Sequence, residues 1–543
     1  MATLATQPPV KCGQPDARPP AKKTSPEFFL ACWTLACVVI AFVHAQQKLW
    51  YDEIYSYYMG LLPDLRSVVA ALAAGGDLNP ILFQLATRTS LSLFGAGEWA
   101  ARVPAILGFP ILALCLYRFV KKRLGWEYGL VALTIPAVTG AFRYAWEARP
   151  YGMVMAFTGI ALVCWQEATS RRDRRRWLAG LTVAVACALL SHAWAVLLVA
   201  ALGLTELARA WQRRAADWAL WGCLALASTA VAGVLPLLKL ARSVVFGTPL
   251  FQPSWRYIPN TYEMLVGPAL WPLLGAIVLA GFWFGGVRAR NELGRPDKPP
   301  QANGLPHFDP HEIGLSLAFL AVPVLAVIAA MVAGTAFMNR YGLLGVVGIA
   351  LLGSWFAHRI TGGDARFALR LAGMLGFSMI GQFGYWIYEV VAEDPPPAFQ
   401  SGLATLAKLP ELHTVSPELP VVSSSGLQFL ELDLYGPPAL KSRMHYLMDP
   451  EAAMRFTQSN IYEVALPNVV RLFPVKARLA AYRDFTARHP KFLVYGPYFH
   501  SLDWLHQKLI EDRADLRLIG VYRGNYGDNL LVEVTVPPQA PGR

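Results

Sequence analysis

Asp52 and Glu53 stand side by side just after the first strongly apolar run of the chain, Phe28 to Ala45. Ionisable groups this close to hydrocarbon are costly, and by default they point to function. Further polar residues recur beside later apolar runs. Arg143, Glu147, Arg149 and Tyr151 fall in RYAWEARPYG, His192 in LLSHAWAV, and Arg340 with Tyr341 in MNRYGLLG. Lys239, Arg242 and Arg256 lie between two further runs. A carboxylate can take the proton of an attacking hydroxyl. Sugar transfer with inversion needs such a base on the face opposite the leaving group, and its oxocarbenium-like transition state favours nearby negative charge. A departing lipid phosphate needs cationic partners, which arginine supplies in forked geometry. The set suits transfer of a sugar from a lipid phosphate to a hydroxyl.

Each residue also has a plainer role open to it. Asp52-Glu53 could begin a helix after the interfacial aromatics Trp50 and Tyr51. Glu147 and Arg149 could form an external ion pair of little energetic weight. His192 could be an interfacial histidine, and Arg340 could snorkel to headgroups. Their joint placement on one side of the membrane favours a shared cavity.

That placement follows from composition and topology. The chain has 543 residues, of which 55% are hydrophobic and 15% charged, and its mean hydropathy is +0.37. These values describe a polytopic membrane protein. The formal net charge of +12 does not point to nucleic acid, because the basic residues cluster in short loops between apolar runs and no nucleic-acid motif accompanies them. The 7 cysteines end at Cys223 and show no zinc-ligand spacing.

Phe28–Ala45 reads as a retained first helix rather than a removed signal peptide. Residues 46–98 read as one external loop of amphipathic helices lying on the membrane. Spans follow at 99–118, 128–142, 152–168, 177–193, 194–210, 217–236, 266–286, 313–334, 341–357 and 368–389, for about eleven transmembrane helices. With the N-terminus in the cytoplasm, every basic cluster falls inside, from Lys121-Lys122-Arg123 to Arg359, Arg366 and Arg370. The candidate site residues all fall outside.

The predicted organisation is a cytoplasmic tail (1–27), a transmembrane core (28–393) and an external, soluble α/β domain (394–543). Pro395-Pro396-Pro397 marks the last boundary. Strands are expected at 419–422, 492–495, 516–522 and 530–536, and helices at 475–489 and 502–511. Residues 291–311 read as a cytoplasmic connector without regular structure.

The elements YDEIYSYY, NPILFQLATRTSLSLFG, GEWAARVPAILG and RYAWEARPYGM resemble the GT-C glycosyltransferases. The nearest type is a bacterial group related to protein O-mannosyltransferases and lipid A aminoarabinose transferases. The likeness covers residues 48–200 by motif and the later helices by architecture. It implies a helical GT-C core in the bacterial inner membrane and a polyprenyl-phosphate-linked sugar as donor. The acceptor would be a lipid, polysaccharide or protein hydroxyl on the periplasmic face, with no nucleic acid as partner. It also implies that Asp52 is the catalytic base, that Glu53 orients the loop or the acceptor, and that Glu147 is the second acidic position. Arg340 would meet the lipid phosphate, with Arg149, Tyr151, His192 and Tyr341 in the substrate cavity. No cofactor is expected; a divalent metal on Asp52, Glu53 and Glu147 is the less favoured option. The chain departs from its relatives at Leu78-Asn79-Pro80, where they often carry His-Pro-Pro. A lipid transporter or flippase is the alternative class, but the chain shows no inverted repeat.

Overall fold

The computed structural model describes residues 26–233, 252–292, 307–392, 417–497, 503–524 and 527–537. Most of the tail 1–27, most of the connector 291–311, Lys239, Arg242 and the boundary at Pro395-Pro396-Pro397 lie outside the described residues.

Helix α1 (Pro26–His44) leads to three short helices, α2 (Tyr51–Gly60), α3 (Leu65–Ala73) and α4 (Ile81–Phe94), in the segment expected to hold surface helices. The bundle continues with α5 (Glu98–Leu124), α6 (Trp126–Thr134), α7 (Tyr151–Ser170), α8 (Arg175–Ser191), α9 (Val196–Arg213) and α10 (Trp218–Ser228). It is completed by α11 (Tyr257–Val266), α12 (Leu270–Glu292), α13 (Pro310–Leu320), α14 (Val322–Ala333), α15 (Gly345–Ile360) and α16 (Ala365–Ala392).

Among the described residues, 4 helices are long and apolar enough to cross a membrane, or up to 5 if the bent pair α13–α14 counts as one span. Several expected spans are broken. The segment 128–142 holds only the short α6 before it tightens into 3₁₀ turns at Ile135–Val138 and Gly140–Ala145. Pro136 removes a backbone donor there and disfavours a continuing α-helix. Gly140 lies so close to α11 that a Cβ would sit 2.0 Å from the Met264 carbonyl oxygen. The span 313–334 is bent by 54° between α13 and α14, where Pro323 interrupts the hydrogen-bond ladder.

Helices α5 and α7 pack backbone to backbone. A Cβ on Gly108 would lie 2.2 Å from the Gly152 carbonyl oxygen, and one on Gly152 would lie 2.5 Å from the Ala105 Cα. Small residues at a helix crossing permit this approach. It brings the first turn of α7, with Tyr151, alongside the first half of α5.

The bundle has two chemically distinct ends. At one, the start of α5 and α7, the α8–α9 break and the turn before α15 meet. At the other, Arg123 of α5 binds Glu312 through Nε at 3.0 Å and also pairs with Asp309, at the start of α13. There too Arg174 forks onto Asp217 at 2.6 and 3.0 Å, and Lys122 pairs with Glu167 at 3.1 Å.

The C-terminal region is a 6-stranded sheet in the order β3-β2-β1-β4-β6-β5. Its strands are β1 (Val421–Ser423), β2 (Met444–Met448), β3 (Arg478–Ala481), β4 (Lys491–Pro497), β5 (Asp515–Gly524) and β6 (Gly527–Thr535). The first four run parallel, and β6 and β5 add antiparallel. The intervening helices include α17 (Gly426–Tyr435), α18 (Pro450–Thr457), α19 (Ile461–Leu472), α20 (Tyr482–Arg488) and α21 (Leu505–Glu511).

The expected helix 475–489 is shortened to Tyr482–Arg488, and its first half is corrected. Residues 478–481 form edge strand β3, paired with β2 from His445 to Met448, so tertiary pairing overrides the helical preference of Arg-Leu-Ala-Ala. Strand β2 was not expected at all.

The sheet region docks on α2. Tyr51, Ile54, Tyr58 and Met59 share one apolar cluster with Tyr446, Tyr462 and Phe473. Tyr58 stacks on Phe473 with centroids 5.4 Å apart, and the Leu49 amide donates to the Tyr435 hydroxyl at 2.7 Å.

Gly152→Leu should prevent α5 and α7 from closing. Size-exclusion chromatography in detergent is expected to show aggregated or absent protein. A monodisperse peak with wild-type yield would contradict the close crossing.

Candidate active site

Glu53 sits in the first turn of α2 with 0% exposure, and its carboxylate is saturated. Arg102 of α5 donates through Nε at 2.8 Å and Nη2 at 2.5 Å. The Ala148 amide donates at 2.6 Å and the Trp50 amide at 3.2 Å. Arg102 spends its remaining donors on the carbonyls of Ala45, Gln47 and Lys48. One buried pair therefore ties together the end of α1, the start of α2, α5 and the loop before α7. Arg102 was not singled out in the sequence, although it lies in GEWAARVPAILG. An arginine early in an apolar helix, 49 residues from a carboxylate pair, was the available signal.

Asp52 points the other way. Arg340 Nη2 approaches its carboxylate at 3.0 Å and Arg149 Nη2 at 3.5 Å, while Arg149 Nη1 donates to the Asp52 carbonyl at 3.2 Å. Burial pushes the Asp52 carboxyl up, but Arg149 and Arg340 together outweigh it and leave it below the usual range. Asp52 is therefore anionic at neutral pH.

Glu147 follows the 3₁₀ turn Gly140–Ala145. One of its oxygens accepts from Arg143 Nε at 3.1 Å, and that arginine is 73% exposed. The other oxygen is buried and has no hydrogen-bond partner among the described residues. Burial, countered by Arg143 and reinforced by Glu53, pushes the Glu147 carboxyl above its ordinary value. Arg149 Nε, Arg340 Nε and the Tyr151 hydroxyl are likewise buried without a hydrogen-bond partner. Such groups are rare in folded proteins, and each calls for an explanation.

The remaining candidates join through aromatic rings. The Arg340 guanidinium lies 5.9 Å from the ring centroids of both Trp50 and Tyr151. Tyr151 lies 5.1 Å from His192, which lies 6.1 Å from Tyr341. Tyr341 stacks on Trp194 at 4.4 Å. His192 accepts the Trp194 amide at Nδ1, which fixes its ring at the break between α8 and α9. Below Arg340, a cleft of about 20 Å³ runs between Val154, Met155, Leu343 and Leu344, room for about one water.

The structure thus brings Asp52, Glu53, Glu147, Arg149, Tyr151, His192, Arg340 and Tyr341 to one end of the bundle. Arg256 stays apart, exposed at the start of α11. At the position where relatives often carry His-Pro-Pro, Asn79 turns back on the buried carboxylate of Asp77 at 2.9 Å, which Gln84 also holds at 2.6 Å. Among the described residues, no three His, Cys, Asp or Glu side chains gather as a metal-holding group. Asp52, Glu53 and Glu147 each face an arginine instead.

Residues 79–237 match the family model of the dolichyl-phosphate-mannose-protein mannosyltransferases. The resemblance to GT-C membrane glycosyltransferases is borne out. No curated protein matched the sequence. Among solved structures, the chain is similar to apo ArnT from Cupriavidus metallidurans at 15% identity and TM-score 0.41, covering 93% of this chain and 98% of that one. The same protein bound to undecaprenyl phosphate gives 14% identity and TM-score 0.41, with 95% and 100% covered. The Pmt1-Pmt2 complex of S. cerevisiae bound to its sugar donor gives 15% identity and TM-score 0.30, with 40% and 33% covered. The match to the family model begins at Asn79, so it leaves the Asp52-Glu53 pair outside and includes Arg102, Glu147, Arg149, Tyr151 and His192.

Arg102→Met should orphan a fully buried carboxylate and cost about 3–5 kcal/mol of stability. The measurement is the thermal unfolding midpoint in detergent, with Arg455→Met, which breaks the exposed pair with Glu511, as the control. Equal midpoints for the two variants would refute the anchoring role of the Glu53–Arg102 pair.

Proposed function

We propose that the chain is an integral membrane glycosyltransferase that moves a sugar from a polyprenyl-phosphate donor to an acceptor hydroxyl with inversion. The observation that carries this reading is the Asp52 carboxylate held between Arg340 and Arg149, with the unpaired buried oxygen of Glu147 at the same end of the bundle. The donor phosphate takes the guanidinium groups of Arg340 and Arg149, which present forked donors to it. Asp52 then loses part of its counter-charge and becomes a stronger base. The acceptor oxygen attacks the anomeric carbon while its proton passes to Asp52. The bond from that carbon to the phosphate oxygen breaks, and its electron pair leaves with the lipid phosphate. The arginines stabilise the phosphate charge as it develops.

Glu53 does not touch substrate in this scheme. Its bonds to Arg102, Ala148 and Trp50 hold the first turn of α2, so it positions Asp52. Glu147 is the second carboxylate available to an acceptor or to the cationic transition state. Tyr151, His192 and Tyr341 line the entry to the apolar cleft, which must widen to admit a polyprenyl chain. The arginines supply the positive charge, and the reading uses no metal. The bacterial inner membrane, with the Asp52 end of the bundle facing the periplasm, is the setting that fits the loop charges.

Asp52→Asn keeps the shape and removes the base. With the protein in lipid nanodiscs, radiolabelled polyprenyl-phosphate sugars and a membrane extract, transfer should fall by roughly 10²–10⁴-fold. Turnover equal to wild type would sink the assignment.

Arg340→Gln should raise the Asp52 carboxyl, because one of its two counter-charges is gone. The base form is lost as pH falls through that carboxyl's pKa, so the acidic limb of the rate profile should move to higher pH. An unmoved limb would separate Arg340 from Asp52.

A further inference from the structure

A cavity of about 710 Å³ opens at the end of the bundle away from Asp52. Helix α7 links the two regions: Tyr151 at its start faces the active site, and Ser170 at its end adjoins the cavity. Its 20 residues separate the two by about 30 Å. The lining includes Arg171, Arg172, Arg174, Arg209 and Arg213, against the single carboxylate of Asp217.

The internal pairing leaves positive charge in excess. Asp217 is shared by Arg174 at 2.6 Å and Arg209 at 3.4 Å. Arg209 also pairs with Glu206 at 2.9 Å, and Arg171 with Glu167. Among the described residues, no carboxylate pairs with Arg172 or Arg213. These two arginines come from different elements, the α7–α8 loop and the last turn of α9, yet they line one cavity. Both are solvent-exposed, so an anion entering the cavity would find forked donors from both elements free to meet it.

The surroundings indicate where that anion comes from. Trp211 is 86% exposed and Trp218 is 80% exposed. They flank Arg213 and Asp217 in the chain. Exposed tryptophan at the ends of apolar helices marks the headgroup level of a bilayer. Arginine pockets between helices at that level suit anionic lipid headgroups.

We propose that this cavity binds the phosphate-bearing headgroup of an anionic membrane lipid. The guanidinium groups of Arg172 and Arg213 reach the phosphate oxygens while Trp211 and Trp218 sit among neighbouring headgroups and acyl chains. The site is independent of the sugar chemistry at the other end, and it would hold the ends of α7, α8, α9 and α10 together at the membrane surface.

The test uses the full chain purified in detergent, with native mass spectrometry reading the affinity of phosphatidylglycerol and cardiolipin against phosphatidylcholine. The variants are Arg172→Gln with Arg213→Gln, and a control, Arg175→Gln with Arg176→Gln, which removes the same charge outside the cavity. Anionic-lipid affinity should fall roughly fivefold for each cavity arginine removed, and the control should keep nearly all of it. Equal losses in the two double variants would overturn the site in favour of diffuse surface charge. Inorganic phosphate and pyrophosphate form a separate arm. If they compete for the cavity at millimolar concentration as well as lipid does, the ligand is a soluble phosphate and the lipid assignment falls. If the cavity variant fails to fold, wild-type protein provides the reading: no preference for anionic lipid over phosphatidylcholine refutes the proposal.

Discussion

A fully buried carboxylate and a nearly buried guanidinium, Glu53 and Arg102, hold the active end of this protein in register. Each is costly to bury alone, so the pair persists only because every polar atom has somewhere to go. The carboxylate receives two backbone amides besides the guanidinium. The guanidinium reaches three backbone carbonyls besides the carboxylate. Four chain segments meet at this one pair, and the direction in which Asp52 points follows from it. Adjacent residues on a helix are turned about 100° apart. Anchoring Glu53 inward therefore presents Asp52 to Arg149 and Arg340.

The same logic divides the two acidic neighbours into different jobs. Glu53 gains hydrogen bonds on both oxygens and is spent on structure. Asp52 gains two cations at 3.0 and 3.5 Å and retains 22% side-chain exposure. A group paired this way is ionised and ready, yet it is restrained as a base until something else claims the arginines. In the proposed reaction an incoming phosphate would be such a claimant, and donor arrival would then be linked to activation of the acceptor. The sheet region contributes to this as well. Its apolar cluster includes Tyr51, Tyr58 and Met59, so α2 is held by the sheet region as well as by the bundle.

Charge is segregated along the bundle with the same economy. The active end holds cations matched to carboxylates and backbone. The other end holds arginines in excess over their partners, with tryptophan beside them. Both ends present arginine side chains, but one is enclosed and built around the Asp52 carboxylate, whereas the other is open and flanked by exposed tryptophan.

Much of the active end was legible in the residues alone. Adjacent carboxylates after an apolar run, an arginine-bearing loop and an arginine at a later helix entrance are each improbable near hydrocarbon, so their cost made them visible. The surface helices of the first loop and most strands of the C-terminal sheet were readable from apolar patterning. Arg102 was not, because an arginine in an apolar helix reads as any snorkelling side chain until its partner 49 residues away is brought beside it. Strand β3 was missed for a related reason: Arg-Leu-Ala-Ala has the local preference of a helix, and only pairing with β2 makes it a strand. The broken spans at Pro136 and Pro323 carried a local signal in the prolines. How far each break bends the chain depends on what packs against it, as with Gly140 on the Met264 carbonyl. By itself the sequence determined that the chain enters membranes and which polar residues are too costly to be incidental, since transfer energies belong to single residues and short runs. Only the tertiary structure decided which carboxylate is anchored and which stays free to act, because that depends on partners brought together from distant parts of the chain.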